Sequence, residues 1–271
     1  MTQKATGTLT VGNIVRVAAV RYGDREAIFC SSTGRRFSFR EVNRRANCLA
    51  NGLMSLGLKK GDVAAFLCTN RAEIVEIYFA LAKAGIVGIP LNYRLAPAEM
   101  IELMNHCGAD ALLFDPWFPE VARQIREALP RIAHFVGMGE EVPGFAVGYE
   151  ELVGKSSPEE PDVEISEEDI QYLNLTSGTT GLPKGYFLTH YNNANALVMA
   201  MLHDVTCEDV ILTAFPIFGR VGFAWCGIGM YTGARNVIHP FQAQKMLELI
   251  ESEKVTISNW VPTMASFALS F

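Results

Sequence analysis

A regular alternation of short apolar runs with helix-like segments between residues 63 and 136 constrains the fold more than any other feature. The run at 63–68 is continuously apolar, as in a strand that is covered on both faces. It is followed by an apolar helical segment at 71–84, which Gly85 ends. A second strand-like run at 86–89 completes a βαβ unit, whose crossover is expected to be right-handed. This alternation predicts an α/β fold in three layers, with mostly parallel sheets flanked by helices.

The same rhythm continues in both directions along the chain. Apolar periodicity and stop signals predict further helices at 13–22, 39–56, 97–107, 119–129, 190–203, 242–253 and from 261 onward. Strands are predicted at 26–30, 35–39, 111–114, 134–136, 170–175, 210–213, 236–238 and 256–259, the first two as a β-hairpin. Residues 137–169 are rich in Glu, Asp, Pro and Gly and are predicted to form a surface excursion, after which the strand at 170–175 rejoins the same sheet.

Composition restricts the classes of function. The 271 residues are 49% hydrophobic and 19% charged, which is typical of soluble globular proteins. A net charge of −6 without a dense basic patch disfavours nucleic acid as a partner. The six cysteines show no C-x-x-C pair, which predicts free thiols in a reducing cytoplasm. The apolar span 210–234 is interrupted by Pro216, Arg220 and several glycines, so no integral membrane segment is expected.

A loop crowded with hydroxyls and glycines follows the strand at 170–175. Glycines let successive N–H groups point the same way, which is an anion-binding arrangement, and the hydroxyls add further donors. Lys184 adds a positive charge suited to phosphate. The spacing is not that of a Walker loop, because Gly185 stands where Ser or Thr would follow the lysine. The loop is therefore predicted to bind phosphate groups, and a plain polar turn is the ordinary alternative.

The run Thr-Ser-Gly-Thr-Thr-Gly-Leu-Pro-Lys-Gly at 176–185 resembles the signature loop of the adenylate-forming enzymes. This superfamily includes acyl- and aryl-CoA synthetases, luciferases of the firefly type and the adenylation domains of peptide synthetases. The resemblance extends to Leu-Thr-His-Tyr-Asn at 188–192, Arg-Phe-Ser-Phe-Arg-Glu at 36–41, Leu-Ala-Lys-Ala-Gly at 81–85 and Pro-Leu-Asn at 90–92. It covers nearly the whole chain, but it matches only the first part of a family member.

The resemblance implies a set of site residues. Those that would hold the ATP phosphates, with Mg²⁺ nearby, are Thr176, Ser177, Gly178, Thr179, Thr180, Gly181 and Lys184. The acyl-pocket candidates are Phe218, Gly219 and Trp225, although plain core packing is the alternative for the tryptophan. Gly219 stands where many members carry histidine or another large gating residue, so the identity of the acid stays open. His190 either faces the nucleotide or is a solvated residue at a helix start, with Thr189 as the N-cap.

No residue is assigned as catalytic or as a metal ligand. The resemblance implies a lysine in a C-terminal lid domain that assists adenylation, and the sequence shows no equivalent of it. The expected organisation is the N-terminal portion of an AMP-binding domain, with 1–169 as a first α/β part and 170–271 as the phosphate-loop strand and the start of a second. The apolar residues of the last helix, at 263–271, are expected to remain uncovered and to favour self-association.

Three functions remain open at this point. The first is an AMP-forming acid–CoA ligase, which activates a small carboxylic acid, fatty or aromatic, with ATP and transfers it to CoA; the isolated chain is expected to be inactive. The second is an adenylation domain that loads a carrier protein, or a luciferase-like enzyme. The third is a non-catalytic nucleotide-binding remnant, or a subunit that completes its site with another chain.

Overall fold

The computed structural model of the protein describes residues 9–176 and 184–271, and it shows helices and strands in close alternation. The helices are α1 (Val11–Tyr22), α2 (Phe39–Ser55), α3 (Ala72–Ala84), α4 (Pro97–His106), α5 (Pro119–Ala128), α6 (Tyr149–Lys155), α7 (His190–Ala194), α8 (Ala196–Leu202), α9 (Arg220–Thr232), α10 (Ala243–Ser252) and α11 (Pro262–Ala268). The strands are β1 (Glu26–Cys30), β2 (Arg35–Ser38), β3 (Val63–Leu67), β4 (Val87–Pro90), β5 (Ala111–Phe114), β6 (His134–Gly137), β7 (Val147–Gly148), β8 (Ile170–Thr176), β9 (Lys184–Thr189), β10 (Val210–Thr213), β11 (Arg235–Ile238) and β12 (Ile257–Ser258).

The first sheet has seven strands in the order β7-β6-β5-β3-β4-β8-β9. Its neighbours are parallel except β8 and β9, which form an antiparallel hairpin. The prediction of a mostly parallel sheet is confirmed, and β8 does rejoin it by pairing with β4. The order reverses at β3, because β4 lies on one side of it and β5 on the other. At such a reversal an open α/β sheet leaves a crevice at the carboxyl ends of its strands.

The second sheet has five strands in the order β12-β10-β11-β1-β2. The predicted β1–β2 hairpin forms, and β1 pairs in parallel with β11, a strand more than 200 residues later in the chain. Each sheet therefore contains strands from both sides of residue 170. The division of the chain into a first part at 1–169 and a second part at 170–271 stays a prediction. Both parts contribute strands to both sheets.

Helices α2 and α3 lie in the largest apolar core of the described residues. A capping box starts α2: the N–H of Glu41 donates to Ser38 Oγ, and the Glu41 carboxylate accepts from the N–H of Ser38. Every residue of α3 is buried, including Glu76. Arg45 forms a 2.7 Å ion pair with Glu76, and the Tyr149 hydroxyl donates to it at 2.7 Å, so this buried carboxylate is satisfied.

Two sequence predictions need correction. The surface excursion predicted at 137–169 contains β7 and α6, and Tyr149 and Val153 are buried in the core. The single helix predicted at 190–203 is divided into α7 and α8 at Asn195, whose carbonyl accepts from the N–H of Val198, three residues later. The predicted cap at Thr189 is confirmed, since its hydroxyl accepts from a backbone N–H.

The last helix is partly covered. Met264 and Ala268 are buried where α11 packs on α10, so the expectation that its apolar residues all remain uncovered is wrong for these two. Phe267, Leu269 and Phe271 are exposed, as expected. Among the residues that the structure describes, no helix combines the length and the apolar character needed to cross a membrane.

Candidate functional site

The predicted phosphate loop connects β8 to β9 at the end of the first sheet. In this hairpin Asn174 opposes Tyr186, and Thr176 opposes Lys184. Because β3, β4, β5 and β8 run parallel, the hairpin end at Thr176 and Lys184 lies at the edge where all four strands finish. Open α/β sheets bind their ligands at this carboxyl edge.

Most of the predicted phosphate ligands lie outside the described residues. These are Ser177, Gly178, Thr179, Thr180 and Gly181. The structure shows Thr176 and Lys184 as the paired ends of two strands, so the segment between them begins and ends at one point of the sheet edge. The role of all seven residues in binding phosphate stays a prediction.

The two faces of β8 pack into different apolar cores, which anchors the hairpin. The Tyr172 ring contacts Tyr78 and Phe223, with ring centroids 5.5 and 6.1 Å apart. Leu173 packs on the opposite face, where a Cβ at Gly185 would lie 2.8 Å from its Cδ1. A side chain at position 185 would therefore require the Leu173 side chain to shift.

Residues 215–219, which lead into α9, are held by elements from the first third of the chain. Asn70 lies in the loop between β3 and α3 and is buried. Its side-chain amide donates to the Phe215 carbonyl at 2.6 Å, and its side-chain oxygen accepts from the N–H of Ile217 at 2.8 Å. The Tyr78 hydroxyl donates to the Ile217 carbonyl at 3.1 Å. The segment before α9 is thus fixed in position by the first sheet and α3.

Gly219, the N-cap residue of α9, and Gly222, in its first turn, have different surroundings. A Cβ at Gly222 would lie 2.5 Å from the carbonyl oxygen of Pro216 and 2.8 Å from Cα of Ile217, so any side chain there displaces backbone. Gly219 has a φ of −88°, and a Cβ there would lie 3.3 Å from the same oxygen. The backbone at Gly219 therefore accepts a side chain after a shift of a few tenths of an ångström. The absence of a large residue at this position is not a requirement of the fold.

The three acyl-pocket candidates lie in different surroundings. Gly219 is the N-cap residue of α9. The Phe218 ring makes an edge contact with Tyr93, at a centroid distance of 5.1 Å. Trp225 is buried between α8 and α9, with its ring 5.8 Å from that of His203. The role of these three residues in binding an acid stays a prediction.

His190 is buried, so the interpretation of a solvated residue at a helix start is wrong. Its Nδ1 accepts a hydrogen bond of 3.2 Å from the N–H of Val11. Burial lowers the pKa of His190 to about 4, with Lys60 lowering it further and Asp169 opposing the shift. The imidazole is therefore neutral, and it ties the start of α1 to the start of α7. A role of His190 towards a nucleotide stays a prediction.

Sequence reasoning did not identify Asn70 or Tyr78, the two residues that hold the segment before α9. Their signal was weak: Asn70 is a polar residue just beyond the carboxyl end of β3, where the loops of an open α/β sheet meet. Sequence reasoning also treated Arg220 only as an interruption of the apolar span 210–234. In the structure Arg220 is the exposed first residue of α9, beside the predicted pocket.

Comparisons with known proteins agree with this architecture. The family model for AMP-binding enzymes matches residues 15–270. A long-chain-fatty-acid–CoA ligase of Thermus thermophilus is 34% identical over 265 residues, which is 94% of this chain and 48% of the relative. A feruloyl-CoA synthase of an Amycolatopsis species is 32% identical over 237 residues, covering 85% of this chain and 45% of the relative.

A solved structure gives the same result. The anthranilate–CoA ligase AuaEII, in complex with anthranoyl-AMP, superposes with a TM-score of 0.90 at 26% identity. The superposition covers 97% of this chain and 52% of that one. The chain thus spans about half the length of the curated relatives it matches. Its sequence and its fold together show that the chain belongs to the AMP-binding enzyme family.

Proposed function

We propose that this chain supplies the nucleotide-phosphate site and part of the acid site of an AMP-forming acid–CoA ligase. The observation that carries the proposal is the β8–β9 hairpin, whose paired ends at Thr176 and Lys184 lie at the carboxyl edge of the first sheet. The packed α9 segment, held by Asn70 and Tyr78, provides a second fixed element for an acid. Family membership supports both assignments.

The proposed reaction has two steps. A carboxylate oxygen of the acid attacks the α-phosphorus of ATP, pyrophosphate leaves, and an acyl-adenylate forms. The sulfur of CoA then attacks the acyl carbon, and AMP leaves with the bonding electrons. Neither step needs a covalent intermediate on the protein, so its contribution is to position the reactants and to neutralise charge.

The phosphate loop performs this neutralisation in the proposal. Thr176, Thr179 and Lys184, with the other loop residues named above, would donate to the β- and γ-phosphates and stabilise the charge that develops on the leaving pyrophosphate. Mg²⁺ would accompany the nucleotide phosphates, where it neutralises further negative charge. Residues 9–176 and 184–271 contain no cluster of three His, Cys, Asp or Glu residues suited to a metal ion. The proposal therefore assigns no protein ligand to Mg²⁺.

The names of the relatives support a fatty or aromatic carboxylic acid as the substrate class and CoA as the acceptor. They act on long-chain fatty acids, on ferulate and on anthranilate, and each is named as a ligase or synthase of a CoA thioester. These names favour CoA over a carrier protein as the thiol in our proposal.

The test is the affinity of the purified chain for MgATP, measured by isothermal titration calorimetry. Lys184→Ala should weaken binding about tenfold to a hundredfold, which corresponds to one lost charge-assisted hydrogen bond. The matched control is Lys245→Ala, because Lys245 is a partly exposed lysine paired with Glu248 on α10. Equal affinities in the Lys184 variant and the parent would remove the loop from the proposed mechanism.

A second measurement concerns turnover. The purified chain is incubated with ATP, Mg²⁺, CoA and a panel of fatty and aromatic acids, and AMP release is followed. We expect MgATP binding without AMP release above background, because the chain spans about half the length of its relatives. Clear turnover would show that the residues needed for the reaction are fewer than proposed.

A further inference from the structure

Strand β9 is the last strand of the seven-stranded sheet, and its outer edge is open. It pairs with β8 on one side, and within the described part of the chain no strand pairs with the other side. The consecutive residues 185–187 are all exposed, which agrees with an open edge. Such an edge presents backbone N–H and C=O groups that can pair with another chain.

The usual protection of a strand edge is missing from β9. Proteins block open edges with charged side chains, especially lysine, or with proline. Residues 185–203 comprise β9 after its first residue together with α7 and α8. They contain no Asp, Glu, Lys, Arg or Pro, although 19% of the whole chain is charged. The open edge therefore continues into two helices that carry none of these charged residues.

Exposed apolar side chains adjoin this edge. Helix α7 contacts both β9 and α8, so the three elements lie next to one another. Six large apolar residues that they expose, together with the outer edge of β9, are named here the β9 surface: Tyr186, Phe187, Tyr191, Val198, Met201 and Leu202. Met199 is not included, because it lies on another face of α8. There it lines a cavity of about 160 Å³ with Ile14, Phe79 and Arg220.

The size of the β9 surface approaches that of a stable interface. A buried aromatic side chain covers about 150–250 Å², so the three rings, which are 37%, 62% and 51% exposed, offer roughly 300 Å². The three aliphatic side chains are 52–77% exposed and add to this area. A stable protein interface buries about 800 Å² on each partner. The six side chains and the strand edge therefore supply most of the area that a stable interface needs.

The absence of charge from the β9 surface restricts the partner. A charged partner would have to bury its charges against apolar groups without a counter-charge, which is costly. A second copy of the chain brings the same uncharged residues and the same open edge. Two copies related by a two-fold axis pair identical strands in antiparallel orientation, which is also the orientation of β9 with β8. The β9 surface is thus complementary to itself.

We propose that the β9 surface is an interface between two copies of this chain, in which β9 pairs antiparallel with β9 of the second copy. The pairing joins the two seven-stranded sheets into one and gives partners to the N–H and C=O groups of the open edge. The exposed apolar residues of α7 and α8 are covered in the same contact. Helix α11 is not part of this interface, although it also exposes apolar residues. The proposal does not depend on the binding of MgATP or of an acid.

The experiment is sedimentation velocity of the purified chain over a wide range of concentration. The parent should show a reversible equilibrium between the monomer and one species of twice its mass. Phe187→Lys on β9 and Met201→Lys on α8 should each weaken the dimer at least tenfold, because each places a charge in an apolar contact. Both residues are exposed in the single chain, and near-UV circular dichroism of each variant verifies its tertiary packing.

Two control variants carry the same substitution at other exposed apolar residues. Val20 on α1 is 85% exposed, and Leu269, which follows α11, is 88% exposed. Val20→Lys and Leu269→Lys should leave the dimer within twofold of the parent. The second control separates the β9 surface from association through the last helix.

Hydrogen exchange locates the interface independently of any variant. The amides of residues 185–189 should exchange more slowly at a concentration where the dimer dominates than at one where the monomer dominates. The amides of residues 262–268 should exchange equally at both concentrations. Exchange at 185–189 that is independent of concentration, in a chain that does dimerise, would overturn the strand pairing.

Other results would also overturn the proposal. A chain that stays monomeric at every concentration has no such interface, and an open series of larger species would contradict the two-fold pairing. A dimer that Leu269→Lys disrupts and Phe187→Lys does not would place the interface at the last helix. Flotation with phosphatidylcholine vesicles tests a lipid surface as the partner. Vesicle binding that Phe187→Lys abolishes, without a dimer in solution, would assign the β9 surface to a bilayer instead.

Discussion

Replacement of Asn70 by alanine tests whether the first sheet holds the segment that leads into α9. The Asn70 side chain makes three hydrogen bonds: to the Phe215 carbonyl at 2.6 Å, to the His239 carbonyl at 3.3 Å and from the N–H of Ile217 at 2.8 Å. A neutral hydrogen bond contributes about 0.5–1.5 kcal/mol to stability, so three contribute about 3 kcal/mol together. Ile217 is fully buried, so its N–H would be left without an acceptor.

The assay is urea unfolding, with hydrogen exchange of the segment 215–222 as a local readout. We expect Asn70→Ala to lower the free energy of unfolding by about 3 kcal/mol, a large share of the roughly 5–15 kcal/mol of a typical domain. The amide of Ile217 should exchange faster than in the parent. Asn51→Ala is the matched control, because Asn51 donates to two carbonyls at 2.9 and 2.8 Å but at the surface, where water replaces the lost donor. It should cost less than about 1 kcal/mol.

If Asn70→Ala and Asn51→Ala lose the same small amount of stability, and exchange at 215–222 is unchanged, then the buried amide does not fix this segment. A large loss of stability without faster exchange at 215–222 would place the effect of Asn70 elsewhere, at its bond to the His239 carbonyl.

The remaining predictions concern other parts of the fold. The pKa of His190 is about 4 in the folded state and about 6.5 in the unfolded chain, so the unfolded chain binds a proton that the folded chain does not bind between these values. The free energy of unfolding should therefore fall by up to about 3 kcal/mol as the pH drops from 6.5 to 4. Urea unfolding should show this dependence in the parent and not in His190→Gln. Arg45→Met should cost about 3–5 kcal/mol in urea unfolding because Glu76 stays buried without its partner, and changing Glu76 to Met as well should restore most of that loss. Gly222→Ala should cost about 1–3 kcal/mol in thermal unfolding, whereas Gly219→Ala should cost less than about 1 kcal/mol; equal costs would contradict the close contact at Gly222.

Local patterns were sufficient to predict most elements of the chain, because their causes are local. The apolar run at β3 and the glycine stop at Gly85 act within a few residues. Helix α6 was missed for the opposite reason. It has only seven residues, too few to show a period, and its burial depends on contacts with α2 that come from elsewhere in the chain.

The site was predictable only in part. The composition of the loop at 176–185 indicated phosphate binding. Nothing in the sequence indicates that Arg220 lines the same cavity as Ile14, Phe79 and Met199. These residues meet because of the tertiary packing of α1, α3, α8 and α9. A period or spacing rule describes one element at a time, and it carries no information on which elements meet.

The exchange of strands between the two sheets explains why the parts of the site come together. β8 and β9 lie late in the chain yet extend the first sheet, while β1 and β2 lie early yet complete the second. The segment between β10 and α9 leaves the second sheet and is held by Asn70 and Tyr78, which belong to the first sheet's units. The position of α9 relative to the phosphate-loop hairpin is therefore set by hydrogen bonds and ring contacts across the junction, including that of Tyr172 with Phe223. A change at the junction should thus alter the proposed acid site and the proposed phosphate site together, even where it touches neither.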